Sequence, residues 1–186
     1  MQAEQQAQPQ KRSALRELVE TIVITLLLYL LVRTFLFENY KVVGRSMEQT
    51  LNNDQFVVVN KLGYRLHEPQ RGDIIVFRDW ASDDRKLIKR VIGLPGETVE
   101  IRNGQTFVNG TMLDEPYIDL PGRDTRPATP VPEDHYYVLG DNRSDSQDSR
   151  SRGVLDSDNI VGKAWLTYWP PDHWGIVPHA DYGDSP

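Results

Sequence analysis

The sequence predicts a mainly β domain preceded by one transmembrane helix. Residues 18–37 form an apolar run, and the chain after residue 38 contains short segments rich in β-branched and aromatic residues. Turn-forming residues separate those segments, as is typical of strands in an antiparallel sheet. No long stretch after residue 40 shows the apolar spacing of an amphipathic helix, and no internal repeat is present.

Residues 18–37 read LVETIVITLLLYLLVRTFLF, a length of about 20 residues that suffices to cross a bilayer. Residues 22–32 are apolar on all sides apart from Thr25 and Tyr29, and Arg33 can extend toward the far interface. A buried core helix is the alternative, but a soluble amphipathic helix would carry a polar stripe there. A cleaved signal peptide is a second alternative, and it lacks a small-residue cleavage site after the apolar run.

The orientation of the anchor follows from its flanking charges. Three basic residues, Lys11, Arg12 and Arg16, precede the apolar run, and basic residues favour the cytoplasmic side. The protein is therefore expected in the cell membrane as a single-pass protein with its N-terminus inside. The predicted segments are a cytoplasmic tail at 1–17, a transmembrane anchor at 18–37 and an extracytoplasmic domain at 38–186.

The strands of the outer domain are predicted from composition and turns. Asn103-Gly104 between two such segments indicates a β-hairpin, whereas the Pro-rich stretch 121–134 is predicted to be a surface loop. The chain after Trp165 is expected to begin as a strand and to end in irregular structure. The predicted strand segments are QFVVVN (55–60), DIIVF (73–77), KLIKRVIGL (86–94), TVEIR (98–102), QTFVNG (105–110) and HYYVLG (135–140).

Charge and composition exclude several function classes. The formal net charge is −6, and the four basic and four acidic residues of positions 1–38 cancel, so the excess lies on residues 39–186. An acidic domain is a poor candidate for nucleic-acid binding. The absence of cysteine excludes thiolate nucleophiles and Cys-containing zinc sites. A calcium loop counted from Asp141 lacks the required Gly and the final Glu, so no metal and no cofactor are predicted.

Two residues are candidates for chemistry. Ser46 follows Gly44 in a loop, at most about 26 Å of extended chain beyond Glu38, so it would act near the bilayer surface. Lys89 lies in a predicted strand whose period places Leu87 and Val91 on the same face. Burial there would lower the pKa of the amine toward roughly 7–8 and suit it to general-base catalysis. Taken alone, the two residues also fit a turn serine and an edge-strand lysine.

Four sequence segments, in their order along the chain, resemble those of a known protein family. The segment 140–153 is dense in Asp, Ser and Arg, and it follows three other distinctive segments. Together they resemble type I signal peptidase, in particular its short, single-anchor bacterial form. The blocks are RTFLFENYKVVGRSMEQTL (33–51), RGDIIVF (71–77), KRVIGLPGE (89–97) and GDNRSDSQDSRSRG (140–153).

The resemblance implies a fold and a set of roles. The implied fold is a domain of coiled antiparallel β-sheets shared with self-cleaving repressor proteases. In that family the serine before methionine is the nucleophile, here Ser46, and the lysine opening the third block is the general base, here Lys89. The fourth block supplies Ser146 to hold the lysine amine, with Asp148 and Arg150 as the bracing pair. The supporting positions in the matching blocks are completed by Gly44, Met47, Asp141 and Asn142.

The match departs from the family pattern at three positions. Gly44 replaces a residue that often carries an oxyanion-hole hydroxyl, so donors must come from backbone N–H groups. Gln49 stands where proline is common, and Arg45 stands where small or acidic residues are common. The sequence suggests no role for Arg45.

The resemblance implies cleavage of signal peptides of exported precursors after small residues, in an Ala-x-Ala-like site. Trp165, Trp169 and Trp174 would then be candidates for contact with membrane lipid, with core packing equally open for Trp165. A Ser-His-Asp triad is disfavoured because none of the four histidines falls in a matching block. Two rival functions are an inactive, membrane-anchored β-domain that binds exported chains and a self-cleaving Ser-Lys protease, the second disfavoured by the anchor.

Overall fold

The computed structural model describes residues 14–119 and 121–183, without the side chains of residues 31–35. Two compact units are separated between Leu36 and Phe37. The predicted basic cluster at Lys11 and Arg12, and the side chain of Arg33, lie outside this description. Each unit is considered by itself.

The N-terminal unit contains one helix, α1 (Ala14–Phe35). The helix begins four residues before the predicted anchor because residues 14–17 are strong helix formers, and Arg16 pairs with Glu20 one turn later. The large apolar side chains described in α1 are 46–70% exposed. Among the described residues, no helix meets the length and apolarity needed to cross a membrane.

The second unit is built mainly of antiparallel strands, as the sequence predicted. The large sheet has the order β1-β2-β11-β3-β4-β9-β10, with β12 paired to β11. Its strands are β1 (Phe37–Lys41), β2 (Phe56–Asn60), β3 (Ile74–Asp79), β4 (Ser82–Gly93), β9 (His135–Leu139), β10 (Leu155–Asp156), β11 (Ile160–Trp169) and β12 (Gly175–Ile176).

A smaller sheet has the order β7-β6-β5-β8. Asn103 and Gly104 connect β5 to β6 with φ values of 51° and 81°, the positive values that a tight two-residue hairpin turn requires. The strands are β5 (Thr98–Arg102), β6 (Gln105–Val108), β7 (Thr111–Met112) and β8 (Arg126–Pro130).

The prediction that residues 121–134 form a surface loop is wrong in part, because strand β8 occupies part of that stretch. The strand pairs with β5 through Val99 and Thr129 and forms the edge of the smaller sheet. Its two prolines, Pro127 and Pro130, are tolerated because an edge strand leaves one row of backbone groups unpaired. Two single-turn helices, α2 (Gly63–Leu66) and α3 (Ser149–Arg152), complete the regular structure together with short 3-10 turns.

Three apolar clusters form the core of the second unit. The strand period of β4 is visible in them, because Ile88 packs against one cluster while Leu87 and Val91 belong to another. The first cluster matters most for the site, since Met47 and Leu51 of the β1–β2 connection are buried in it. Its buried members are Val42, Met47, Leu51, Val57, Val59, Ile74, Val76, Ala164 and Val177.

Candidate active site

Ser46 lies in a compact turn between β1 and β2. The turn is closed by a backbone hydrogen bond from Leu51 N–H to Met47 O at 2.8 Å. Met47 and Leu51 are each 1% exposed, so their side chains fix the turn to the core while Ser46 stays half-buried at the surface. The predicted loop location of Ser46 is therefore confirmed, and the loop is an anchored turn.

Lys89 reaches Ser46 from the middle of β4. Its Nζ lies 2.6 Å from Ser46 Oγ and donates to Ile88 O at 2.8 Å. The side chain is 2% exposed, and this burial lowers the pKa of Lys89 from about 10.5 to about 8. The charges of Asp148 and Asp141 oppose the shift without reversing it. The desolvation that the strand pattern predicted is confirmed.

The segment Gly140-Asp141-Asn142 packs against the turn that carries Ser46. The backbone N–H of Asn142 donates to Ser46 O at 3.1 Å. A Cβ at Gly140 would lie 2.5 Å from Ser46 O and 2.2 Å from Ser146 Oγ, closer than van der Waals contact allows. Only glycine fits between the two serines, and sequence reasoning did not single out Gly140.

Asp141 is held by a buried ion pair that the sequence did not predict. Arg90 donates to both Asp141 oxygens, at 2.9 and 2.7 Å, and each side chain is 1% exposed. Thr50 donates its hydroxyl to Asp141 Oδ2 at 2.6 Å, which ties the pair to the Ser46 turn. In the sequence, Arg90 stands out only by its position next to Lys89 in the block KRVIGLPGE. Sequence spacing did not identify Asp141 as its partner.

Asp148 and Arg150 form the second buried ion pair, and the resemblance implied that these two residues pair. Arg150 Nε and Nη2 donate to the two Asp148 oxygens, each at 2.8 Å. Burial raises the pKa of the Asp148 carboxyl, but the hydrogen bond and charge of Arg150 outweigh it and leave the pKa below its usual value. Asp148 Oδ2 also accepts from Gly140 N–H at 3.1 Å, which links the pair to the Ser46 turn.

The role implied for Ser146, holding the Lys89 amine, is not a direct hydrogen bond among the described contacts of that amine. Its Oγ is buried and makes no hydrogen bond of regular geometry among the described residues, but the hydroxyl is close enough to Asp148 to help lower the pKa of that carboxyl. The oxygen lies beside Gly140 rather than in recorded contact with the lysine amine. The hydroxyl can donate to Asp148, and its oxygen still has lone pairs that can accept a further hydrogen bond within the site.

The three departures from the family pattern have structural consequences. Gly44 has φ of 100° and donates its N–H to Asn53 Oδ1 at 2.8 Å. Gln49 has φ of 92°, which proline cannot adopt, and its side chain accepts from the Asp119 N–H at 3.2 Å. Arg45 pairs with Glu48 at 2.9 Å, and Glu48 in turn accepts from Asn142, the supporting residue next to Asp141.

A cleft of about 530 Å³ opens beside Ser46 and Lys89. Apolar side chains, including Val57, Val76 and Ile88, form much of its lining. No histidine is among the residues that line it. Of the four histidines, His179 has the best-defined structural position, because its ring lies between β3 and β11. Burial lowers the pKa of its imidazole to about 4.

Comparison with known proteins places the chain in a family. The sequence profile of "Signal peptidase, peptidase S26" matches residues 15–169. A probable signal peptidase I-2 of Synechocystis is 39% identical over 87% of this chain and 76% of its own length. A signal peptidase I of Leptolyngbya laminosa is 39% identical over 91% of this chain and 87% of its own length. A crystal structure of a signal peptidase I from Enterococcus faecalis, 35% identical, aligns with 52% of this chain and 97% of that chain at a TM-score of 0.46.

The family profile and the full-length relatives define the class of the protein as a serine endopeptidase. The chain belongs to the signal peptidase family, peptidase S26.

Proposed function

We propose that this protein removes N-terminal signal peptides from exported precursors, with Ser46 as the nucleophile and Lys89 as the general base. The observation that carries the proposal is the 2.6 Å contact between Ser46 Oγ and a lysine amine that is 2% exposed. A serine hydroxyl is a weak nucleophile until a base within hydrogen-bond reach takes its proton. A buried amine can be that base because desolvation disfavours its charged form.

The reaction is acyl transfer in two steps. Neutral Lys89 accepts the Ser46 proton as Oγ attacks the scissile carbonyl, and the same proton then passes to the leaving amine. Lys89 next takes a proton from water, and the resulting hydroxide attacks the acyl carbon. The protonated amine returns its proton to Ser46 Oγ as the acyl group leaves as a carboxylic acid. Because Gly44 carries no hydroxyl, the oxyanion would depend on backbone N–H donors such as that of Ser46.

In this proposal, Asp148 and Arg150 support the Ser46–Lys89 dyad by holding Gly140 in place against Ser46. Asp148 receives the Gly140 N–H, so its ion pair fixes the segment that packs against Ser46. The buried Ser146 hydroxyl lies beside Asp148, and we propose that its oxygen accepts a hydrogen bond from Lys89 when the amine is protonated. Asn142 completes the arrangement through its bond to Ser46 O.

The cleft suits an extended peptide with small side chains. Strand β4 pairs with β9 only through residues 90–93, so its edge at residues 84–88 has no recorded strand partner beside the cleft. A peptide can add to such an edge by backbone hydrogen bonds. The apolar floor then favours the Ala-x-Ala-like sites of signal peptides.

We further propose that residues 18–37 anchor the protein in the cell membrane with residues 1–17 inside and residues 38–186 outside. The exposed apolar side chains of α1 support this, because such a surface is unfavourable in water. In the β unit, Trp165, Trp169 and Trp174 are 45%, 53% and 71% exposed, and tryptophan favours the lipid headgroup region. Membrane lipid is thus a proposed partner of the β unit.

Cleavage of a precursor with an Ala-x-Ala site by the full chain in detergent or vesicles tests the proposal. We expect Ser46→Ala and Lys89→Ala each to lower kcat/KM by about 10⁴-fold or more, as loss of a nucleophile or base does elsewhere. Ser157→Ala, which alters a serine outside the site, serves as the control and is expected to match wild type. Precursor binding by the wild-type chain without cleavage would instead favour the inactive binding domain.

A further inference from the structure

The C-terminal segment 177–182 crosses the large sheet on its way to a buried part of the candidate site. Val177 donates its N–H to Trp165 O at 2.9 Å, and its side chain is 1% exposed within the first apolar cluster. Ala180 lies against Gly72, where a Cβ would be 2.0 Å from Ala180 O. The segment is therefore attached to the domain at several points, although Pro178 and Asp181 within it are exposed.

His179 fixes this segment between two strands. Its Nδ1 accepts the Ile74 N–H at 3.0 Å, and its Nε2 lies 2.9 Å from Ala164 O. The β3–β11 pairing ends at Ile75 and Lys163, so the imidazole joins the next backbone groups where the strands separate. A backbone N–H can only donate and a carbonyl can only accept, so both bonds require the neutral ring with its proton on Nε2.

Beyond His179 the segment reaches the aromatic cover of Arg90. Tyr182 donates its hydroxyl to the Tyr117 hydroxyl at 3.1 Å. The Tyr117 ring lies over the Arg90 guanidinium, 3.9 Å from its centroid. Arg90 also donates to Gly72 O at 2.8 Å, the carbonyl that accepts Ala180 N–H at 3.3 Å. Segment 177–182 and Arg90 are thus joined at two points.

The connection continues from Arg90 to the nucleophile turn. Arg90 holds Asp141, and Asp141 accepts the Thr50 hydroxyl at 2.6 Å. The neighbouring Asn142 N–H donates to Ser46 O at 3.1 Å. Each contact in this series lies within hydrogen-bond or ring-stacking distance, and the Arg90–Asp141 pair at its centre is almost fully buried.

We infer that Tyr182 and His179 are positioning residues for Ser46, and that segment 177–182 holds the Tyr117–Arg90–Asp141 series in register with the nucleophile turn. This inference rests on the proposed function for its activity readout. Small displacements of a nucleophile from its base reduce turnover strongly, whereas neither segment 177–182 nor the Tyr117–Arg90–Asp141 series lines the cleft beside Ser46. The expected signature is therefore a fall in kcat with KM unchanged.

The test compares Tyr182→Ala with Tyr182→Phe and with Asp181→Asn in the full chain. Tyr182→Ala removes the hydroxyl that bonds the Tyr117 hydroxyl, and we expect kcat to fall about tenfold with KM within about twofold of wild type. Tyr182→Phe keeps the ring but removes the same hydroxyl bond, so its kcat is expected to fall in the same direction, by at least about threefold. Asp181→Asn alters an exposed neighbour whose hydrogen bond within the described part of the chain is to Gly183 N–H, and it is expected to match wild type.

A second readout does not depend on catalysis. The Asn142 and Leu51 amides are bonded to Ser46 O and Met47 O, so hydrogen exchange at both reports on the order of the turn. Tyr182→Ala and His179→Ala are expected to speed exchange at these two amides at least fivefold more than at Val138 N–H, which is bonded to Ser149 Oγ.

Wild-type kcat and unchanged exchange in Tyr182→Ala would overturn the inference. A loss of activity fully explained by a smaller folded fraction would also overturn it, and so would wild-type kcat in Tyr182→Phe. If the wild-type chain fails to cleave the precursor, the proposed function fails, and the exchange comparison still decides the positioning role.

Discussion

Lys89 and Arg90 are consecutive buried cations on one strand, and the protein treats them in opposite ways. Burial is the largest single influence on the pKa of each side chain, and it acts to lower both pKa values. For Lys89 it prevails and lowers the pKa to about 8. For Arg90 the hydrogen bonds and charge of Asp141 outweigh burial and raise the pKa above its ordinary value.

The difference lies in the partners of the two cations. Arg90 has a carboxylate in bidentate contact, whereas the recorded contacts of Lys89 are a hydroxyl and a carbonyl. A paired guanidinium is a permanent charge suited to holding a loop, and an unpaired buried amine gives up its proton readily. Position on a buried strand therefore does not determine the role of a basic residue; its acidic partner does.

The largest expected effect is on stability when the paired cation is removed. Arg90→Met leaves Asp141 buried without its counter-charge, which costs about 3–5 kcal/mol of unfolding free energy. Urea unfolding of the full chain in micelles measures the loss. Lys41→Met removes a cation from an exposed pair with Asp54 and is expected to change stability by under about 1 kcal/mol. Equal effects of the two substitutions would contradict a structural role for the Arg90–Asp141 pair.

The next effect concerns the segment that Arg90 holds against Ser46. Gly140→Ala places a Cβ within 2.5 Å of Ser46 O, so the nucleophile must move, and kcat is expected to fall about 100-fold. Gly175→Ala is the matched control, because a Cβ there meets nothing within 4 Å, and it should leave precursor cleavage unchanged. An active Gly140→Ala enzyme would show that the close packing at Ser46 O is dispensable.

The smallest expected effect is a gain in stability, opposite in sign to the loss expected for Arg90→Met. The folded protein disfavours protonated Lys89, so the amine destabilises the fold most at pH values below its folded pKa of about 8. Lys89→Met removes this penalty and is expected to raise the unfolding free energy at pH 7 by roughly 1–3 kcal/mol. The gain should shrink as the pH rises toward the ordinary pKa of lysine, where both states become neutral. A destabilised Lys89→Met protein at pH 7 would contradict the contrast with Arg90.

Local patterns predicted much of the β unit. Asn103-Gly104 specified its hairpin because only residues that tolerate positive φ fit a two-residue turn, and the strand period of residues 86–94 predicted the burial of Lys89. Strand β8 was missed because its prolines, which argue against a strand, are tolerated at a sheet edge.

The site depended on contacts that sequence spacing does not encode. Arg90 and Asp141 are 51 positions apart and meet only after β4 pairs with β9. Gly140 matters through the two serines on either side of it, which no local motif describes. The contributions of His179 and Tyr182 arise from the path of segment 177–182 across the sheet, and irregular chain carries no periodic signal.

The protonation state of Lys89 is the central claim, and its direct test is an NMR titration of the full chain in detergent micelles. Lysine labelled with ¹³C at Cε reports the charge of each amine, and the signal absent from Lys89→Ala identifies Lys89. We expect a midpoint near pH 8, the value to which burial lowers the pKa of Lys89, with the acid limb of kcat/KM at the same pH. A midpoint near 10.5, the ordinary value for lysine, would contradict it.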